Sequence, residues 1–267
     1  MDDVVLQEDE IDASRAPLLE HLAELRTRLL IAMVAIVVAF SACFFVSKPI
    51  FFFLTEPFQA AMRQLGRHDT VKMVNTDAFG FFVVQIKVAL FGGIILAFPV
   101  IAYQLYAFVA PGLYKKERGA VLPFMFAAPV MFVAGASFAY FIGLPFALEF
   151  ALNQELKGPG LEVTYLPKVD EYLTLVTTLT LAFGFVFQIP VVLTLLARAR
   201  MTSASALRKG RRYAIVGIAA FAACVTPPDV LSMTIMAVPI YLLYEISIWL
   251  VWLIERAQAK EDAAALA

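Results

Sequence analysis

Two acidic side chains in short polar stretches are the residues of this chain best suited to hold a ligand. Glu24 lies in the sequence HLAELRTRLL and Glu117 in APGLYKKERG, and each stretch borders a long hydrophobic segment. A carboxylate pairs bidentately with the planar guanidinium of arginine, a geometry that lysine does not reproduce. If both stretches lie on one side of a membrane, the two carboxylates could hold a ligand with two adjacent arginines.

Both acids also have a local structural interpretation. Glu24 lies four residues before Arg28, and such a pair on one helix is worth only about 0.3–0.5 kcal/mol when exposed. Glu117 lies among three basic residues of its own stretch, which would neutralise it. Spacing alone favours these local roles over ligand binding.

The other reactive side chains form no recognisable catalytic or metal-binding motif. The histidines, His21 and His68, are predicted on opposite sides of a membrane, so they form neither an HExxH zinc motif nor a Ser–His pair. Cys43 and Cys224 are predicted to be small hydrophobic residues rather than a disulfide pair. No GxxxxGK[ST] phosphate loop is present. These features argue against an enzyme, including an intramembrane protease.

The composition identifies an integral membrane protein. Hydrophobic residues make up 61% of the chain and charged residues 16%, against about 25% charged residues in soluble domains. The segment 29–46 contains eighteen residues without a charge, close to the roughly 20 that a helix needs to cross a bilayer. The apolar runs are continuous rather than alternating, which favours helices over a β-barrel.

We therefore predict an all-α protein with six transmembrane helices. The predicted spans cover about residues 29–46, 78–108, 120–148, 171–197, 213–225 and 230–254. They form one membrane domain over residues 18–254, because no repeat or Gly/Ser linker divides the chain. Residues 1–17 are predicted to be a mobile acidic tail and residues 255–267 a second tail.

The distribution of basic residues predicts that both termini are cytoplasmic. This orientation places 14 of the 21 Lys and Arg residues on the cytoplasmic side and six in outer loops, with Lys87 inside a span. Residues 1–20 carry seven acidic side chains and one basic one, unlike the positive start of a cleavable signal peptide.

Three polar side chains fall within predicted spans, where such residues usually have a function. Lys87 lies about nine residues into the second span, and we expect its amine to extend to the outer interface. Glu245 lies near two tyrosines and a serine, which predicts either an internally hydrogen-bonded acid or a contact with a partner helix. Gln188 lies in the fourth span, in FGFVFQIPV.

The last two spans and the prolines predict an irregular bundle. The fifth span has thirteen residues between Arg212 and Thr226, or about 20 Å of helix at 1.5 Å per residue, which is short for a bilayer. Prolines inside most of the spans predict kinks and a curved wall, or ordinary irregular packing.

Several ordered stretches resemble the TatC family, the multispanning receptor subunit of the twin-arginine protein translocase. They are HLAELRTRL at 21–29, the region of Pro57, PVIAYQLYAFVAPGLYKKER at 99–118, FAYFIGLP at 138–145 and TPPDVLSMTIMAVPIYLLYE at 226–245. The resemblance covers nearly the whole chain. It implies a cupped bundle of six helices with short fifth and sixth helices, and a non-enzymatic protein of the inner membrane.

The resemblance also implies a recognition site for the twin-arginine signal peptides of folded cargo. In this interpretation Glu24 and Glu117 contact the arginines of the signal. Arg26 belongs to the same motif and has either a direct role or that of a positive-inside anchor. The residues implied to shape the same surface are Phe108, Pro111 and Leu113. Phe108 by itself is also typical of an interfacial aromatic residue.

Further implied partners are single-span subunits similar to TatB and TatA, other copies of the chain and membrane lipid, with neither nucleic acid nor a cofactor. The first outer loop, residues 48–77, would serve self-association or anchor the chain at the interface. Transport would be driven by the proton gradient.

At Gln188 the chain departs from the family, which commonly has glutamate there; an amide still forms hydrogen bonds but does not titrate. The alternative function is a small-solute secondary transporter, which would need buried charges or half-helices near the midplane. Gln188 and Lys87 are slender support for it.

Overall fold

The structure is a computed structural model that describes the backbone of residues 2–64, 73–75, 78–109, 122–152, 156–158, 161–163, 167–226 and 230–266. In chain order the helices are α1 (Asp2–Phe45), α2 (Ser47–Gln64), α3 (Gly80–Val109), α4 (Leu122–Phe138), α5 (Leu144–Leu152), α6 (Val169–Val186), α7 (Ile189–Arg198), α8 (Ala204–Val225) and α9 (Val230–Leu266). A π-helical turn, Ala139–Gly143, joins α4 to α5. Two short antiparallel strands, β1 (Leu156–Gly158) and β2 (Leu161–Val163), lie between α5 and α6.

Five helical segments of the described chain are long and apolar enough to cross a membrane. They are Leu22–Phe45, Gly80–Phe108, Phe124–Leu152, Val169–Arg198 and Val230–Lys260. They confirm a helical multi-pass protein and correspond to five of the six predicted spans. The predicted fifth span, 213–225, lies in α8, whose first half carries four basic residues and is therefore too charged to count as a span by composition. The two short strands form a hairpin of three residue pairs, and the predicted all-α class is confirmed by the predominance of helix.

The first and last helices extend beyond the predicted spans. Helix α1 begins at Asp2 and α9 ends at Leu266. The stretch 255–266 contains neither glycine nor proline and consists mostly of Ala, Glu, Lys, Arg and Gln. These residues have high helix propensity, so nothing in the sequence ends the helix at the edge of the apolar span.

The prolines occupy different positions within the helices. Pro190 lies in the first turn of α7, directly after the break that separates α7 from α6. By contrast, Pro99, Pro129 and Pro239 lie inside α3, α4 and α9, which continue through them. The fourth predicted span is therefore two helices, whereas the second is one.

Two glycines allow α4 and α6 to pack closely at the centre of the bundle. A Cβ atom on Gly135 would lie 2.5 Å from the carbonyl oxygen of Phe183, and one on Gly184 would lie 2.7 Å from the ring of Phe132. Both phenylalanines are fully buried. The ring of Phe132 also stacks on Phe98 of α3, with centroids 3.8 Å apart. This contact fixes the central helices α3, α4 and α6 against one another.

The last turns of α9 hold the junction between α7 and α8. A side-chain oxygen of Glu255 accepts a hydrogen bond of 3.0 Å from the backbone N–H of Ala204, the first residue of α8. The side-chain amide of Gln258 donates to the carbonyl of Arg198, the last residue of α7, at 2.9 Å. The part of α9 that follows residue 254, where the predicted span ends, thus contacts the rest of the structure.

We predict that Gln258→Ala destabilises the protein, whereas Asp262→Asn, at an exposed contact one turn later, does not. Gln258 is buried, and losing its bond to the Arg198 carbonyl is expected to cost about 1–2 kcal/mol. Asp262 pairs with Arg200 at 2.8 Å, and both side chains are about half exposed, so their attraction is weakened by solvent. Thermal unfolding of the detergent-purified protein measures both effects. Equal midpoints for the Gln258→Ala variant and the parent would contradict this account of the junction.

The contribution of the Arg200–Asp262 pair to stability should also depend on pH, in a direction that follows from the pKa of Asp262. The hydrogen bond from Arg200 lowers the pKa of the Asp262 carboxyl. Any stability that this pair contributes is therefore present at neutral pH and is lost as the pH falls through the lowered pKa.

Candidate functional site

The candidate binding site starts at Glu24 on α1. Its Oε1 atom accepts hydrogen bonds from Nε and Nη2 of Arg28, at 2.9 and 2.5 Å. The Nη1 atom of Arg28 lies 3.5 Å from the side-chain oxygen of Gln104 on α3. The side chains of Glu24 and Arg28 are 33% and 24% exposed. The predicted local ion pair is therefore confirmed, and Gln104 connects it to a second helix.

A groove of about 140 Å³ continues from this ion pair between α1 and α3. Its lining residues are Leu25, Arg28, Leu29, Ala32, Ile101, Gln104, Leu105 and Phe108. Apart from Arg28 and Gln104 the lining is apolar. The site is therefore a carboxylate and a guanidinium at the edge of an apolar groove, an arrangement that suits a ligand with a cationic and an apolar part.

The structure brings some of the predicted site residues together and leaves others apart. Phe108 lines the same groove as Arg28, so two distant parts of the sequence meet there. Arg26 is exposed and is not among the groove residues. Glu117, Pro111 and Leu113 lie outside the described residues. Gln104 was missed by the sequence analysis, because a lone glutamine in an apolar helix gives no sign of which neighbour it faces.

Lys87 forms a contact between helices that the sequence analysis did not anticipate. Its Nζ atom lies 2.5 Å from Oδ1 of Asp170 and 3.2 Å from Oγ1 of Thr174, both on α6. The Lys87 side chain is 38% exposed. The amine therefore has a carboxylate partner in the first turn of α6 and does not only extend to the interface.

Gln188 lies at the break between α6 and α7 and reaches across to α4. Its amide nitrogen donates to the carbonyl oxygen of Ala128 at 3.0 Å and lies 3.5 Å from the carbonyl of Gly184. The residue is partly buried. The Gln188 amide thus acts as the hydrogen-bonding group expected, by donating to backbone carbonyls. A carboxyl group at this position would donate the same bond only in its protonated form.

Glu245 is an internally hydrogen-bonded acid, one of its two predicted roles. One oxygen accepts from the hydroxyl of Tyr241 at 2.8 Å and the other from Nη2 of Arg211 on α8 at 2.7 Å. Glu245 thus ties α9 to α8.

The two cysteines are unpaired, as predicted: Cys43 is buried and Cys224 is exposed.

A second groove, of about 330 Å³, lies between α8 and α9. Its lining residues are Ile215, Ile218, Ala219, Thr234, Ala237, Val238, Tyr241 and Leu242. Ala204 and Ala222 are the buried residues of α8, which packs mainly against α9. Most of α8 therefore presents a face that the described chain leaves uncovered.

Comparisons with known proteins agree on one family. The family model described as "Sec-independent protein translocase protein (TatC)" matches residues 20–239. The chain is 42% identical over 250 residues to Sec-independent protein translocase protein TatC of Magnetococcus marinus, covering 94% of this chain and 89% of that protein. It is 38% identical over 233 residues to the protein of the same name from Escherichia coli strain K12, covering 87% of each.

A solved structure gives the same result. The crystal structure titled "Twin Arginine Translocase Receptor- TatC" matches this chain with a TM-score of 0.74 at 36% sequence identity, over 88% of this chain and 99% of that one. Sequence and structure therefore agree that the chain belongs to the TatC family of Sec-independent protein translocase proteins.

Proposed function

We propose that this chain is the receptor that binds twin-arginine signal peptides of folded proteins at the α1–α3 groove. As a TatC family member it is the core subunit of a twin-arginine protein translocase and not an enzyme. The observation that carries the proposal is the partly exposed carboxylate of Glu24, which already holds a guanidinium at the edge of an apolar groove. A solved relative is titled a twin-arginine translocase receptor.

An arginine of the signal would exchange with Arg28 on Glu24. The Glu24–Arg28 pair joins residues four apart on one helix and is partly exposed, so breaking it costs only about 0.3–0.5 kcal/mol. Arg28 keeps the Gln104 oxygen as an acceptor after the exchange. Apolar side chains of the signal would lie in the groove beside Leu29 and Phe108.

Glu117 would hold the second arginine. It follows Val109, the last residue of α3, by eight residues, and a chain of that length reaches up to about 28 Å. The connection is therefore long enough to bring Glu117 to the Glu24 side of α3. In this proposal Pro111 and Leu113 shape the same recognition surface, and the exposed Arg26 either contacts the signal or anchors α1 at the membrane surface.

The proposed topology has six spans in the inner membrane, with both termini in the cytoplasm. Five spans are apolar enough by themselves, and α8 would form the short remaining one. Its basic first half would lie at the cytoplasmic interface and its apolar second half in lipid. The excess of Lys and Arg on that side supports this orientation. The Glu24 groove and the 110–121 loop would then both face the cytoplasm.

The groove between α8 and α9 would receive the membrane helix of a single-span partner subunit, similar to TatB or TatA. Its lining is almost wholly apolar, with Thr234 and the Tyr241 hydroxyl as its polar groups. Folded cargo would then cross with these partners, driven by the proton gradient. Self-association would use residues 48–77, which include α2.

The transporter alternative loses its two supporting residues. Lys87 is engaged with Asp170, and the Gln188 amide is engaged with the carbonyl of Ala128. Both side chains contribute to contacts between helices, so neither favours a solute site at the midplane.

We predict that Glu24→Ala and Glu117→Ala each weaken binding of a twin-arginine signal peptide to the purified protein by about tenfold or more. Each substitution removes a charge-assisted, bidentate pair, worth about 1.5–3 kcal/mol. A peptide with two lysines in place of the arginines should bind the parent protein weakly. Fluorescence anisotropy of labelled peptides measures both effects.

The matched control is Glu56→Ala, which removes the acid of an exposed intrahelical pair with Arg63 on α2. It should leave peptide binding unchanged. Equal affinity for the arginine and lysine peptides, or full affinity in the Glu24→Ala variant, would refute the proposed site.

We also predict that Gln188→Glu leaves export working, whereas Gln188→Leu impairs it. Glutamate can restore the bond to the Ala128 carbonyl when protonated, but leucine leaves this carbonyl without the side-chain donor. Export of a folded reporter carrying a twin-arginine signal measures the effect, with the amount of each variant in the membrane as the control. Full export by the leucine variant would show that the position serves packing alone.

A further inference from the structure

Helix α2 contains a proline at a point where it is buried against the bundle. The helix spans Ser47–Gln64, with Pro57 inside it and in its buried face. Proline has no backbone N–H, so the carbonyl of Phe53, four residues earlier, has no helical donor at that position. A backbone carbonyl next to an apolar core needs a donor from elsewhere.

A tyrosine hydroxyl supplies that donor. The hydroxyl of Tyr140, in the π-helical turn between α4 and α5, donates to the carbonyl oxygen of Phe53 at 2.5 Å. The rings of Tyr140 and Phe53 stack with centroids 4.6 Å apart and planes 7° from parallel. Tyr140 is 6% exposed. The ring and the hydroxyl of Tyr140 thus both contact Phe53 of α2.

A second tyrosine bonds the next carbonyl from another helix. The hydroxyl of Tyr172, on α6, donates to the carbonyl oxygen of Leu54 at 2.8 Å. Its ring lies 5.5 Å from that of Phe58. Leu54, Phe58 and Tyr172 are all at most 2% exposed. Two consecutive carbonyls of α2 are therefore bonded by two different parts of the bundle.

We propose that Pro57 and Tyr140 form a conformational device that fixes the position of α2 on the bundle. Pro57 leaves the Phe53 carbonyl without a hydrogen-bond donor from α2 itself. The Tyr140 hydroxyl donates to this carbonyl only when α2 is docked in this register. A helix with an ordinary residue at position 57 would satisfy this carbonyl by itself and would lack that requirement. Tyr172 adds a donor to a carbonyl whose helical donor, the N–H of Phe58, remains in the sequence. The device does not depend on the proposed signal-peptide site.

The test is a double-mutant cycle with an internal control, measured as thermal unfolding midpoints of the full purified chain. Tyr140→Phe keeps the ring stack and removes the hydroxyl, so it should lower the midpoint by about 2–4 °C in the parent protein. In a Pro57→Ala background its effect should fall to less than half, because the backbone N–H restored at position 57 can bond the Phe53 carbonyl. Tyr172→Phe should have the same effect in both backgrounds. Equal effects of Tyr140→Phe in both backgrounds would overturn the proposal.

A second measurement decides the matter if the Pro57→Ala variant fails to fold. Ala61 is buried on the same face of α2, with 8% exposure. In a Cys224→Ala background, the thiol introduced by Ala61→Cys should react slowly with a maleimide. Adding Tyr140→Phe should raise the reaction rate several-fold, because α2 then separates from the bundle more often. An unchanged rate would overturn the proposal. Signal-peptide affinity should be unaffected by Tyr140→Phe, which separates this test from that of the proposed function.

Discussion

Backbone carbonyls inside an apolar bundle need hydrogen-bond donors, and this requirement accounts for many of the polar contacts between elements. Side chains donate to carbonyls of other elements at several points: Tyr140 to Phe53, Tyr172 to Leu54, Gln188 to Ala128, Tyr244 to Leu207 and Gln258 to Arg198. They lie beside a proline, at a helix break or near a helix end. Polar residues of this chain thus fix the geometry of helices whose apolar surfaces would otherwise allow sliding.

The charged residues divide into structural and binding groups by the same reasoning. Lys87 with Asp170 and Glu245 with Arg211 join different helices, so breaking either pair disturbs the packing. Arg28, by contrast, lies on the same helix as Glu24, four residues away, and such a pair within one helix contributes little to stability. This difference supports the proposal that Glu24 is the acid that receives a ligand in this member of the TatC family.

Hydropathy predicted six spans, five of which are confirmed by the helices of the described chain. Residue chemistry gave internal hydrogen bonding as one of two roles for Glu245 and predicted that the cysteines are unpaired. Contacts between side chains that are distant in sequence could not be predicted. Asp170 lies 83 residues after Lys87, and Gln104 lies 76 residues after Arg28. Their pairing depends on how helices rotate and slide, which periodicity does not specify.

The central claim is that a signal peptide lies along the α1–α3 groove, with one arginine at Glu24 and the other at Glu117. A photoreactive amino acid placed in the peptide directly after the twin arginines, followed by mass spectrometry of the cross-linked protein, tests this contact most directly. The account predicts cross-links to groove residues such as Leu25, Leu29 and Leu105. Cross-links confined to the α8–α9 groove, with none between α1 and α3, would contradict it.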